Sequence, residues 1–298
     1  MKILMTNIDL SEIGGTQTWT EAMAKELSRR KHDVTIWSPR VGEFARERLA
    51  GFEVTDTLPL QSFDLCLVNH NICLNAIRPI SGPKFYTIHG PSHGLEQPVP
   101  GAEAYVAVSE EIAATYPEYD PDVVVNGIDL ERFVPVDWPY NSQPRVLIAT
   151  KNAEVQEMIQ EACKIAGYGW GLANYQSNPV YEMEELIPQF DIVISSGRVV
   201  YESLACNRSV IILARRPHNG SWEVNADGWV TQENVDDLTR NNCSGRTFAE
   251  QWGSAELAEH LEAWIGPESW GREHVTEHHN IRSQVVKYLA VIPQEVVA

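Results

Sequence analysis

Short apolar runs rich in β-branched residues alternate along the chain with stretches in which apolar residues recur at helical spacing. The first half is predicted to hold strands at 2–8, 33–37, 63–69, 84–88, 104–108 and 122–125, with helices at 16–30, 41–50 and 109–115. The second half is predicted to hold strands at 145–149, 168–172, 191–195, 209–213 and 228–230, with helices at 153–166, 181–187, 198–206, 233–240 and 254–265. Such alternation is typical of parallel sheets covered by helices on both faces, so we expect an α/β fold.

The length of the chain and one proline-rich segment indicate two domains. With 298 residues, the chain is long for one domain and sufficient for two of about 130–150 residues each. Residues 134–144 contain three prolines and few helix formers, which is typical of a linker. We therefore predict a first domain over 1–134, a second domain over 145–266, and C-terminal helices within 267–298.

The composition is that of a globular protein, with 43% hydrophobic and 21% charged residues. No run approaches the roughly 20 apolar residues of a membrane span, and the chain opens directly into a strand rather than a signal peptide. The five cysteines form no C-x-x-C pair and mostly fall in apolar runs. This pattern favours buried thiols in a reducing compartment, so we expect a cytoplasmic protein without a zinc site.

The charge balance limits the class of ligand. The chain has 23 basic and 41 acidic residues, a net charge of −18. That balance argues against a large nucleic-acid footprint, which needs many contacts from Lys and Arg to phosphate, and against docking on an anionic membrane. A cleft with a few cations is still compatible with a bound diphosphate.

The most informative chemistry lies in residues 191–213. A buried strand is followed by a Ser-Ser-Gly turn ending at Gly197, and a short helix follows from Arg198. The N–H groups at the start of a helix favour an anion, and Arg198 adds a full positive charge beside them. Glu202, one turn later, is placed to accept hydrogen bonds from paired sugar hydroxyls. The segment therefore suits a nucleotide or a nucleotide-sugar, the alternative being an ordinary βαβ unit with Arg198 and Glu202 on the surface.

A second glycine turn precedes the first helix. Gly14 and Gly15 follow the first strand, and we expect them to allow positive φ and a close approach of a ligand to the backbone. The turn is neither a dinucleotide fingerprint nor a P-loop, and a flexible strand-to-helix connection is the alternative. Asp9, Glu12 and Thr16 surround this turn and are candidates to orient an acceptor hydroxyl, the alternative being solvated loop positions.

Several short segments occur in a fixed order: Gly14-Gly15 after the first strand, Thr87-Ile88-His89-Gly90 after a middle strand, Val108-Ser109 before a helix, Val125-Asn126-Gly127-Ile128-Asp129 with Phe133-Val134-Pro135, Gly197-Arg198 with Glu202-Ser203-Leu204-Ala205, and Arg272 with His278-His279-Asn280-Ile281 and Tyr288-Leu289. In order and spacing this series resembles glycosyltransferase family 4 and its relatives of the GT-B architecture. The resemblance covers nearly the whole chain.

The resemblance implies two Rossmann-like domains whose parallel sheets face a central cleft, with the C-terminal helix returning to the first domain. It implies a nucleotide-sugar donor held mostly by the second domain, and a small-molecule or glycan acceptor held mostly by the first. Enzymes of this kind mostly transfer the sugar with retention of configuration. They need no metal or other cofactor, because side-chain cations and helix N-termini hold the leaving diphosphate.

The resemblance also implies roles for single residues. The backbone of Gly15, with Gly14 beside it, would contact the donor diphosphate. His89 would lie beside the transferred sugar, and Glu202 would bind the ribose hydroxyls. Gly197 and Arg198 would lie against the diphosphate or the sugar.

This sequence departs from the family pattern in three ways. The position eight residues before Glu202, usually an acid, is Ile194. The first strand of the second domain lacks the usual Gly-Arg ending, which leaves Lys151 as the diphosphate cation there. The chain is also short for the family. We therefore assign catalytic roles to His89, Lys151 and Arg198, with Lys151 also contacting the donor.

Three other functions stay open at this point. They are a nucleotide-sugar epimerase or hydrolase, a catalytically weakened nucleotide-sugar-binding protein and, as a minor alternative, a DNA-base glycosyltransferase of the viral type. Trp138, Trp170, Trp222 and Trp229 are candidates to line a sugar cleft by stacking, with packing in the core as the alternative. The sequence does not identify the base, the sugar, the acceptor or the oligomeric state.

Overall fold

The computed structural model describes residues 1–136, 143–173, 180–218 and 221–291. The chain divides into two compact units, the first formed by Met1–Gly127 with Ile281–Ala298 and the second by Ile128–Asn280. The domain boundaries inferred from the sequence, at 134, 145 and 266, stay predictions. Residues 137–142 of the expected linker, with Trp138, lie outside the described residues.

The strands of the described residues are β1 (Lys2–Thr6), β2 (Asp33–Trp37), β3 (Glu53–Thr55), β4 (Leu65–Asn69), β5 (Lys84–Ile88), β6 (Ala104–Ala107), β7 (Asp122–Val123), β8 (Arg145–Ile148), β9 (Gly169–Leu172), β10 (Ile192–Ser195), β11 (Ser209–His218) and β12 (Ser221–Trp229). The α-helices are α1 (Gly15–Arg29), α2 (Glu43–Arg48), α3 (Asn71–Ala76), α4 (Glu110–Thr115), α5 (Ala153–Ala166), α6 (Met183–Leu186), α7 (Arg198–Ala205), α8 (Val235–Arg240), α9 (Ser254–Glu262), α10 (Trp270–His278) and α11 (Ile281–Ala290).

The first unit is built on a parallel sheet. Its described strands lie in the order β3-β2-β1-β4-β5-β6-β7, and every neighbouring pair is parallel. The strand order changes direction at β1, which pairs with β2 on one side and with β4 on the other. In open α/β sheets ligands bind beyond the carboxyl ends of the strands at such a switch point, so this edge is where a site is expected.

Helix α1 forms as its apolar spacing predicts. Trp19, Met23 and Leu27 recur every four residues and are all buried, which confirms the amphipathic face. The ring of Trp19 lies 5.7 Å from that of Tyr288 on α11. This contact packs the last described helix against α1 within the first unit.

The second unit has a mixed sheet in the order β12-β11-β10-β8-β9. Its pairs are parallel except β11–β12, which form an antiparallel hairpin. The expectation of an entirely parallel sheet is therefore wrong here. Arg215 and Arg216 lie inside β11, whereas the sequence pattern ended this strand at residue 213. The pair Asn219-Gly220, which stands between the two strands in the sequence, is a strong hairpin signal that explains the difference.

Helix α10 fixes the far end of α7 within the second unit. Arg272 Nη1 donates to the backbone oxygens of Phe133 and Ala205, both at 2.7 Å. The helices approach so closely that a Cβ at Gly271 would come within 3.0 Å of Leu204. This packing holds the helix that carries Arg198 and Glu202.

Two further features complete the fold. The five cysteines are buried free thiols, as their place in apolar runs predicts. Burial raises the pKa of all five to about 12, so these thiols are not reactive nucleophiles. Among the helices of the described ranges, none is long and apolar enough to cross a bilayer.

Candidate active site

The carboxyl ends of β8 and β10 lie side by side in the second unit. Ser195 Oγ donates to the backbone oxygen of Ala149 at 2.7 Å, and the Ala149 N–H donates to Ile194 at 3.0 Å. These bonds hold together the two segments that leave the strands. Lys151 and Arg198, which follow a few residues later, therefore stand at the same edge of the sheet.

Gly197 makes a sharp turn between β10 and α7. Its φ of 66° and ψ of −137° form a combination that residues with a side chain rarely adopt. The Gly197 N–H donates to the backbone oxygen of Cys243 at 2.8 Å. Glycine is therefore required at this position, and the turn brings the start of α7 directly to the strand end.

Arg198 and Glu202 form a buried ion pair one turn apart on α7. Arg198 Nε donates to Glu202 Oε1 at 2.8 Å, and the two side chains are only 9% and 6% exposed. Arg198 Nη1 is also buried, and it makes no hydrogen bond within the described part of the chain. The alternative in which both residues lie on the surface is wrong.

The burial of Glu202 changes its acidity. Removal from water raises the pKa of this carboxyl, and the charge and hydrogen bond of Arg198 act in the opposite direction. A second pair contributes as well: Arg132 donates to Glu184 Oε1 from Nε at 3.0 Å and from Nη2 at 2.8 Å. Arg132 lowers and Glu184 raises the pKa of Glu202. This pair was not predicted from the sequence, because nothing local to positions 132 and 184 connects them to α7.

The two positions named with the departures from the family pattern lie in or directly after neighbouring strands. Ile194 lies in β10 and is fully buried among apolar side chains, so an acid there would be an uncompensated buried charge. Lys151 is exposed after β8. The next residue, Asn152, begins α5 by accepting the Val155 N–H at 3.0 Å.

In the first unit, hydrogen bonds join the carboxyl ends of neighbouring strands. His89, after β5, has its Nε2 at 2.7 Å from Asn69 Oδ1. Asn69 Nδ2 donates to the Thr6 oxygen at 3.0 Å, at the end of β1. The ring of Trp19 meets His89 edge-on at 5.3 Å. His89 is therefore held at the strand edge, and its proposed contact with the sugar stays a prediction.

His70 is a candidate that sequence reasoning missed. It follows β4 with φ 71° and ψ 136°, a conformation that is normally restricted to glycine. The side chain is buried, and its Nδ1 lies at 3.3 Å from the Ile8 N–H, which donates to it. Burial, reinforced by the nearby His93, lowers the pKa of His70 to about 4, so the ring is neutral at pH 7. Strained backbone at the carboxyl edge of a sheet is typical of functional positions, and no residue pattern signals it.

The first glycine turn differs from its expected conformation. Gly14 is extended, with a φ of −168°, and Gly15 begins α1; neither has a positive φ. The expectation of positive φ is wrong because the strand leads into the helix through ordinary backbone. A Cβ at Gly15 would meet no atom within 4 Å, so there is open space beside this residue.

The acceptor candidates near that turn differ in their surroundings. Asp9 Oδ2 pairs with Arg40 Nη2 at 3.0 Å, and its Oδ1 accepts from Ser11. Glu12 is exposed, and Thr16 Oγ1 donates to Gln17 at 3.1 Å.

Within the described ranges, no three His, Cys, Asp or Glu side chains are arranged to hold a metal ion.

Solved structures share this architecture. A glycosyltransferase from Rickettsia africae ESF-5 aligns with a TM-score of 0.61 and 13% identity over 99% of this chain and 98% of that one. AviGT4, a glycosyltransferase involved in avilamycin A biosynthesis, aligns with a TM-score of 0.56 and 13% identity over 97% and 96%. This chain has a GT-B glycosyltransferase-like fold.

Other comparisons concern the kind of enzyme and the family. A putative UDP-N-acetylglucosamine 2-epimerase from Listeria monocytogenes aligns with a TM-score of 0.53 and 10% identity over 98% of this chain and 95% of that one. No protein-family model matches the sequence, and no curated protein does either. The GT-B fold is therefore shown by structure alone, and membership of family 4 stays a prediction.

Replacing Arg198 by Met should leave the buried Glu202 carboxylate without its partner. We expect a loss of about 3–5 kcal/mol in the free energy of unfolding at neutral pH. The folded-state pKa of Glu202 lies above its ordinary value of 4.5 and would rise further without Arg198. The free energy of unfolding then falls as the pH rises from the pKa of Glu202 in the unfolded chain through its pKa in the folded protein. Urea unfolding should show a larger deficit relative to wild type at pH 7.5 than at pH 4.5.

The control for this experiment is the double variant Arg198→Met with Glu202→Gln, which leaves no unpaired charge. It should recover much of the lost stability and the wild-type pH trend. An equal deficit of Arg198→Met at both pH values would contradict the buried pairing.

The strain at His70 can be measured by comparing His70→Gly with His70→Ala. Both variants remove the ring, but only glycine adopts the observed backbone without strain. We expect the glycine variant to be more stable by about 1–2 kcal/mol in urea unfolding. At the exposed helical position Glu47, the same pair of substitutions should give the opposite order, since alanine is the better helix former by about 1 kcal/mol. An alanine variant at least as stable at position 70 would disprove the strain.

Proposed function

We propose that this protein is a glycosyltransferase that moves a sugar from a nucleoside-diphosphate sugar to an acceptor hydroxyl. The observation that carries the proposal is the turn at Gly197, where α7 begins with Arg198 beside the segment that carries Lys151. The GT-B likeness supports it, since most of the neighbouring structures are named as glycosyltransferases. Two cations and the start of a helix at one sheet edge suit a diphosphate.

The chemistry of sugar transfer calls for such an arrangement. When the bond from sugar to phosphate breaks, negative charge grows on the leaving diphosphate. A single preorganised donor aimed at that charge is worth about 3–4 kcal/mol in comparable sites. We assign this role to Arg198 and Lys151 with the α7 N-terminus. With cations in this place, we propose that the reaction proceeds without a metal ion, and with retention of configuration, as the family resemblance implies.

Glu202 is proposed as the contact for the ribose hydroxyls. Its Oε1 is engaged by Arg198. A buried carboxylate held in one orientation is a suitable acceptor for two neighbouring hydroxyls.

In the first unit, Gly14, Gly15 and His89 stay the proposed contacts of diphosphate and sugar, and Glu12 and Thr16 those of the acceptor. Asp9 is less suited to that role, because Arg40 and Ser11 already occupy its oxygens.

A nucleotide-sugar epimerase is the second candidate. The likeness to the putative epimerase from Listeria monocytogenes favours it at the level of the fold. The two functions differ in one observable respect. An epimerase converts the nucleotide-sugar with no acceptor present, whereas a transferase consumes it in proportion to the acceptor.

Binding of nucleotides is the first test of this proposal. The melting temperature should be measured with UDP, GDP, ADP, CDP, dTDP and their common sugar conjugates. A ligand at 100 times its Kd should add about 2.7 kcal/mol to the stability. The variant Arg198→Met with Glu202→Gln should bind the active nucleotide at least about tenfold more weakly, a loss of about 1.4 kcal/mol.

The matched control is Arg240→Gln, which removes an exposed arginine of the same unit that pairs with Asp237. It should leave nucleotide affinity unchanged. The proposal fails if no compound of the panel stabilises the protein, or if the double variant binds as tightly as Arg240→Gln.

A further inference from the structure

The second unit contains a pocket whose walls include three tryptophans. Trp229, Trp264 and Trp270 line it together with Arg208 and Glu268, and its volume is about 210 Å³. We call it the Trp pocket. None of the residues assigned to the proposed transfer reaction lines it.

The Trp pocket lies at the other end of the sheet from the Gly197 turn. Ser209, one of its lining residues, is the first residue of β11 and pairs with Ile192 at the start of β10. Trp229 is the last residue of the antiparallel β12 and lies at the same end, opposite Ile211. Gly197 follows the far end of β10, and four strand residues span about 13 Å. The pocket is therefore a separate site.

Hydrogen bonds fix the orientation of the pocket walls. Trp264 Nε1 donates to Ser209 Oγ at 3.0 Å, and Trp270 Nε1 donates to Glu268 Oε2. Arg208 Nη2 donates to the backbone oxygen of Val136 at 2.6 Å. The bonded N–H groups hold the indole rings of Trp264 and Trp270 in place, so that these aromatic surfaces bound the pocket next to one carboxylate and one guanidinium.

These walls match the chemistry of a sugar ring. A pyranose has an apolar face of C–H groups that packs on an indole, while its edge carries hydroxyls that both donate and accept hydrogen bonds. Glu268 accepts and Arg208 donates, and their charges cancel, which favours a neutral ligand over an anion such as phosphate. The volume is below the 300–1,000 Å³ or so of pockets for drug-sized ligands, which limits the occupant to about one ring.

We propose that the Trp pocket binds one pyranose ring of a neutral carbohydrate. The site is distinct from the one that would hold a nucleotide-sugar donor, and it does not depend on the proposed transfer reaction. Binding there would hold a glycan on the second unit through a sugar that does not react.

The test uses three probes: methyl α-D-glucopyranoside, methyl α-D-mannopyranoside and methyl β-D-galactopyranoside. Each is titrated into the ¹⁵N-labelled full chain while the indole N–H resonances are followed. At least one probe should saturably shift the resonances of Trp229, Trp264 and Trp270. Trp270→Ala should weaken that binding by about tenfold, and Glu268→Ala, at an exposed position, should weaken it without affecting the fold.

Trp222→Ala serves as the matched control, because Trp222 belongs to the same unit, is 60% exposed and does not line the pocket. It should leave the affinity for the glycoside unchanged. The proposal is overturned if no glycoside shifts the three resonances, or if Glu268→Ala and Trp270→Ala both bind as tightly as Trp222→Ala. It is also overturned if adenosine saturates the pocket and the glycosides do not. Failure of nucleotide binding in the melting experiment leaves these results unaffected, so the two proposals fail separately.

Discussion

The second unit depends on one buried charge pair placed directly after a turn that only glycine makes without strain. Arg198 reaches the strand end because Gly197 has a positive φ, and its buried guanidinium pairs with Glu202 one helical turn away. A buried pair of this kind contributes little net stability over a well-packed apolar pair. A buried donor without a partner costs free energy, so the pair, whose Nη1 has no partner among the described residues, is better explained by binding than by folding.

Charge in this region is balanced locally, although the chain as a whole is strongly acidic. Arg198 pairs with Glu202, and Arg132 with Glu184, so that Arg198 and one further ion pair act on the Glu202 carboxyl. An anionic ligand at the Gly197 turn would meet Nη1 of Arg198, which is unpartnered within the described part of the chain, while Nε keeps its hydrogen bond to Glu202.

Much of the fold follows from periodicity. The parallel strands of the first unit and the long helices α1 and α5 have strong patterns, and turn residues separate them. The hairpin of β11 and β12 was missed because the Asn219-Gly220 signal between the two strands was not used, and an apolar run by itself shows where a strand lies but not its direction. The short elements β3 and α3 span three and six residues. Helix α3 was missed because it begins after His70 without a side-chain cap, whereas α4, which is equally short, begins after the cap Ser109.

The candidate site could be predicted only in part, for a similar reason. The order of Gly197, Arg198 and Glu202 within one short segment was sufficient to place them together. Arg132 and Glu184 are brought to the same region by tertiary packing, which a single sequence does not encode locally. The strained backbone of His70 and the ordinary backbone of Gly15 could not be predicted from the sequence either, since residue type limits the backbone conformation without fixing it.

The role proposed for the guanidinium of Arg198 is to bind a diphosphate. The most direct measurement follows the ¹⁵N resonances of arginine side chains in the full chain while inorganic pyrophosphate is added. We expect a saturable shift of the Arg198 Nε–H signal, assigned by its loss in Arg198→Met, with no shift for Arg240. A titration in which Arg198 does not respond, or responds no more than Arg240, would contradict it.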